Sequence, residues 1–139
     1  MRLLFSALAF AALGTASLAA PVGQWRPSST TSVSITGPVT LWSDRIAMTG
    51  ATLKLREVAQ PASFKTDDGD RPAHVFAVVK PRKGLKLLNG NTLCGETSVT
   101  WIVAQPRPPH GLQLLTFDGP DRPTGQETPG LCGIFFYTR

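Results

Sequence analysis

The chain has 139 residues, 17% of them charged, and a formal net charge of +5. That length suffices for one domain with one core. With 13 glycines and 12 prolines against few charges, the composition argues against a helical fold and for a small, turn-rich β domain.

Met1-Arg2 supplies a short positive start, and Leu3 to Leu18 is interrupted only by Ser6, Gly14, Thr15 and Ser17. Ser17-Leu18-Ala19 then sets small residues three before and one before a cut. This layout defines a secretory signal peptide, so residues 1–19 are expected to be removed. A retained membrane anchor is the alternative, although the run is at the short end for a bilayer core of about 30 Å. After cleavage no transmembrane segment is expected, and export places the chain in the periplasm or outside the cell. Residues 20–32 are rich in Pro, Gly, Ser and Thr, with Trp25 the one bulky side chain. They are expected as a flexible lead-in, and residues 33–139 as a single β domain.

Val33-Ser34-Ile35 alternates and reads as a first strand. Val39 to Trp42 and Arg45 to Met48 follow, separated by Ser43-Asp44. Thr49-Gly50 is the next turn. Ala51 to Val58 has the cleanest period of two, with Ala51, Leu53 and Leu55 on one face and Thr52, Lys54 and Arg56 on the other. That spacing predicts a half-buried strand in an antiparallel meander. Ala59 to Ala73 breaks the pattern and reads as a surface loop. His74 to Val79 is a continuous apolar run, expected as a central strand. Asn89-Gly90 favours a tight turn with positive φ at both positions, with a longer loop extended by Asn91 and Thr92 as an equal alternative. The stretch Leu87–Val103 is expected to hold this turn and a strand, Val99 to Val103, with Trp101 in the core. Gln105 to Gly111 reads as a proline loop. In Leu112 to Phe117 the adjacent Leu114 and Leu115 predict a bulge or burial on both faces. Cys132 to Tyr137 is the last strand. The sum is an all-β fold, a small antiparallel barrel or sandwich of about eight short strands.

Two cysteines in an exported chain favour a disulfide over a metal site or a reactive thiol. Joining Cys94 to Cys132 is worth about 4 kcal/mol on the chain-entropy model. It would tie the final strand to the Leu87–Val103 stretch.

The residues hold little that resembles a catalytic set. His74 opens an apolar strand and His110 sits among prolines. No metal-binding His pair, nucleophile elbow or phosphate-cradling glycine loop is present. Asp67, Asp68 and Asp70 are too compact for a twelve-residue calcium loop, and no later glutamate completes one. No cofactor or metal is expected. Lys80, Arg82, Lys83 and Lys86 concentrate four cations in one turn, fit to meet an acidic partner or an anionic lipid surface. Without interleaved aromatics they do not form a nucleic-acid groove. Trp42 lies on the face opposite Val39 and Leu41 and is expected to be exposed, a candidate anchor for a partner.

At Leu87-Leu88-Asn89-Gly90-Asn91-Thr92-Leu93-Cys94, Val99-Thr100-Trp101, Phe117-Asp118-Gly119-Pro120 and Leu131-Cys132-Gly133, the chain resembles a group of small, uncharacterised exported proteins of proteobacteria. The resemblance covers mainly the C-terminal half and implies a periplasmic or secreted setting, with no catalytic residues to carry over. In size and architecture alone the chain also looks like periplasmic lysozyme inhibitors, which are small disulfide-tied β-barrels; fold analogy does not establish function.

The expectation is therefore a non-catalytic, monomeric binding protein of the cell envelope. Its partner would be an envelope protein or another acidic macromolecule, and its specific form an inhibitor of an envelope-directed hydrolase. Candidate partner-binding residues are Lys80, Arg82, Lys83, Lys86 and Trp42. The alternative is a small-ligand carrier with an apolar barrel interior. A hydrolase using His74 or His110 ranks below both.

Overall fold

A computed structural model describes residues 19–139. The expected signal peptide, residues 1–19, falls almost wholly outside the described residues. Ten strands form among the described residues: β1 (Gly23–Pro27), β2 (Val39–Leu41), β3 (Arg45–Met48), β4 (Ala51–Ala59), β5 (Phe64–Thr66), β6 (Gly69–Arg71), β7 (His74–Val78), β8 (Trp101–Arg107), β9 (Gly111–Phe117) and β10 (Leu131–Thr138). Eight of them close an antiparallel barrel in the order β1-β10-β9-β8-β7-β4-β3-β2, and β5-β6 is a separate hairpin. The fold is a barrel rather than a sandwich, tied by a Cys94–Cys132 disulfide.

Period-two patterning explains most of the barrel. Leu53 and Leu55 point inward while Thr52, Lys54 and Arg56 face water. Ser43-Asp44 and Thr49-Gly50 make the two-residue turns of the β2-β3-β4 meander, and Gly50 takes the positive φ its turn needs. The interior is filled by Trp25, Leu41, Phe76, Ile102, Phe135 and Tyr137, among others. A second apolar cluster lies outside the barrel wall, where Phe64 and Ala73 cover Val75, Val103, Leu115 and Phe117. Leu114 belongs to the first cluster and Leu115 to the second, and both are fully buried. The broken alternation of β9 thus reflects burial on both faces.

Five local expectations need correction. Residues 20–32 are not a loose lead-in: β1 lies there and pairs with both β2 and β10. Burial of the Trp25 ring anchors it. Val33-Ser34-Ile35 is no strand but part of a π-helical turn, Ser32–Thr36. Hydroxyls there bond locally, Ser29 Oγ donating to Ser32 Oγ and Thr36 Oγ1 to Ser32 O, which competes with a strand ladder. The Ala59–Ala73 loop contains the β5-β6 hairpin, which has an apolar surface to cover. The strand placed at Val99 begins at Trp101, and the chain before it forms no hairpin. Trp101 therefore packs with the outer cluster, its indole N–H donating to Gly119 O at 3.1 Å.

The fifth correction concerns Pro106, which the proline-rich reading placed in a loop. It sits inside β8, opposite Leu112 of β9. Val78 N–H donates to Thr100 O, so alternation turns the even-numbered residues of β8 towards β7. The β7 pairing ends at His74 opposite Ala104. The missing N–H of Pro106 thus faces a side with no ladder to break.

Candidate binding surfaces at the lidded end

The two barrel ends differ. One end carries Gly23 and the β2-β3, β4-β7 and β8-β9 connections. The other carries the four remaining connections between barrel strands, of which residues 79–100, between β7 and β8, are the longest. Leu87, Leu93 and Val99 from this segment are buried in the main core, so it closes the barrel as a lid. Asn89 and Gly90 have φ of 57° and 71°, the positive values read from that pair. A Cβ on Gly50 would lie 3.2 Å from Lys86 O and 3.3 Å from the Leu87 Cα, so the lid rests on the β3-β4 turn. Lys83 bridges to Ser98, and Cys94 is bonded to Cys132 of β10.

Lys80, Arg82, Lys83 and Lys86 are all exposed on this lid. None makes an ion pair among the described residues. Trp42 is also exposed, but it stands at the opposite end, in the β2-β3 turn, with the Arg45 guanidinium 4.3 Å from its ring centre. The four cations thus share one exposed segment, and Trp42 stands apart from it.

Beside the lid, the barrel wall is incomplete. β10 pairs with β9 from Leu131 to Thr138, but with β1 only at Thr138 and Tyr137. Below that point one more backbone bond forms, Ser28 N–H to Phe136 O at 2.9 Å, and hydroxyls then replace a strand. Ser32 Oγ donates to Phe136 O at 2.8 Å, Phe136 N–H to Ser29 Oγ at 3.2 Å, and Thr31 Oγ1 to Ile134 O at 3.1 Å. Between this seam and lid residues Thr92–Gly95 lies an open groove of about 440 Å³. Ile35, Leu93, Leu131 and Phe135 give it apolar walls, and Asp118 supplies the one charged group of its lining. Sequence reading missed the groove because the seam depends on where β1 stops. The run Ser28-Ser29-Thr30-Thr31-Ser32 was its only visible sign.

His74 is buried, with Nδ1 2.8 Å from Glu57 Oε1. The pair joins the start of β7 to the irregular end of β4. No hydroxyl or thiol is hydrogen-bonded to His74 among the described residues, so the nucleophile–base contact of covalent catalysis is not made. His110 is exposed in the β8-β9 turn. The three aspartates diverge: Asp67 bonds Gln126, Asp70 bonds Ser63, and Asp68 accepts from Arg71 and Arg107. The Arg71 hydrogen bond, aided by Arg107, holds the Asp68 carboxyl below its usual range. Among the described residues no three His, Cys, Asp or Glu side chains are grouped to hold a metal, and no helix is long and apolar enough to cross a membrane.

Comparison of the chain with protein-family models, curated proteins and solved structures returns no match.

Proposed function

We propose that this chain is a non-catalytic periplasmic or secreted binding protein that engages an acidic partner of the cell envelope through its lid. The observation that carries this reading is the set of four exposed, unpaired cations on a segment fixed at both ends of its span. Such a surface steers an oppositely charged partner and limits wrong ones. Its rigidity lowers the ordering cost of binding. Inhibition of an envelope-directed hydrolase is the specific form we favour, because a pinned, charged loop can occupy a substrate cleft without rearranging.

Packing of the interior weighs against a carrier. Phe76, Phe135 and Tyr137 fill the barrel centre. The space between the lid and Leu53 amounts to about 10 Å³, no more than a water requires. Binding and inhibition assays against acidic envelope hydrolases test the proposal, with a variant carrying glutamine at positions 80, 82, 83 and 86. We expect salt-dependent binding that weakens about tenfold or more in the variant. Unchanged binding by the variant, or no inhibition of any such hydrolase, would overturn it.

A further inference from the structure

The stretch of β10 with no strand on its second side carries an inference independent of the lid cations. Along Leu131–Phe135 the strand is paired with β9 but not with β1. Phe136 turns its N–H and C=O toward the seam, where Ser29 bonds the first and the Ser28 N–H and Ser32 hydroxyl the second. Strand alternation aims the N–H and C=O of Ile134 the same way. The carbonyl of Ile134 is met by the Thr31 hydroxyl. Thr31 is exposed and sits at the rim, so its hydroxyl can be displaced by a backbone donor of equal strength.

An unpaired strand edge is complemented by another extended backbone, which supplies donors and acceptors at the same spacing. The groove beside it has apolar walls for alternate side chains of such a segment. Its charge is one-sided. Asp118 lies next to Leu131, because Phe117 pairs with Leu131. One carboxylate oxygen accepts from Thr97 Oγ1 at 2.7 Å, and no cation pairs with Asp118 among the described residues. We propose that the β10 seam is a docking site for an extended peptide segment, which adds as a short antiparallel or parallel strand at Cys132–Ile134 and seats a lysine or arginine against Asp118. The complementary charge distinguishes this occupant from a second copy of the chain pairing through its own β10, which carries no lysine or arginine between Leu131 and Thr138 to meet Asp118.

The test uses the oxidised full chain and synthetic peptides that alternate threonine and valine around a central lysine. A matched peptide has glutamate at the centre, and a third has alternate backbone nitrogens methylated. Backbone NMR titration and amide exchange are the readouts. We expect the lysine peptide to shift the signals of Thr31, Gly95 and Asp118 and to slow exchange at Ile134. The glutamate peptide should bind about fivefold or more weakly, and the methylated one should lose protection at Ile134. In the Asp118→Asn variant, which keeps a group able to accept from Thr97, the lysine preference should fall below about twofold. Absence of shifts at the seam would overturn the proposal. So would equal binding of the methylated peptide, or protection of Ile134 that appears without peptide as protein concentration rises, which would assign the edge to a second copy.

Discussion

Tyr137 is buried in the barrel core and shares a 2.6 Å hydrogen bond with Thr36 Oγ1. Burial pushes its phenol pKa up from the ordinary 10.0, because the interior cannot solvate a phenolate. The sign of the effect on stability follows. Above pH 10 the unfolded chain has released the proton while the folded chain holds it, so unfolding becomes easier as pH rises. Tyr137→Phe should lose about 1 kcal/mol at neutral pH and show a flatter decline above pH 10 in urea unfolding. At this scale the sequence was legible where chemistry is local. The Asn89-Gly90 pair announced its positive φ values, and the cysteines announced their bond. Trp101 was not legible, because both faces of β8 are covered and its alternation does not tell inside from outside.

Gln105 is the clamp between two elements. Its buried Nε2 donates to Phe64 O at 2.8 Å and to Arg71 O at 3.1 Å, one from each strand of the β5-β6 hairpin. Gln105→Ala removes both bonds and leaves the Phe64 carbonyl, which is buried, and the half-buried Arg71 carbonyl short of a donor. A loss of about 2 kcal/mol is expected, with faster amide exchange confined to residues 64–71. Uniform loss across the barrel would show that the hairpin is not a separable unit. The hairpin escaped sequence reading because its strands are three residues each and polar on their outer face. The barrel strands were readable for the opposite reason: β4 has nine residues, enough alternation to declare both its type and its buried side. The lid fell between these cases. Its apolar residues, Leu87, Leu93 and Val99, plug the barrel end from an irregular backbone, which no periodicity marks.

For the molecule as a whole, the disulfide connects positions separated by 38 residues and holds the lid on the final strand. Replacing both cysteines by serine should cost about 4 kcal/mol on the chain-entropy model, read as a lower urea midpoint. Lid amides should then exchange faster than those of β4. Barrel closure itself has a further consequence. The last strand meets the first, and the Arg26 guanidinium donates to the carbonyl of Arg139, 113 residues away. Joining ends so distant carries the largest loop-closure entropy in the chain, and contacts of this range slow folding. The β2-β3-β4 meander can form from local turns, yet β1 has no second neighbour until β10 arrives. Until β10 has been made, the barrel therefore keeps an open seam along β1, and closure waits for the last of the described strands.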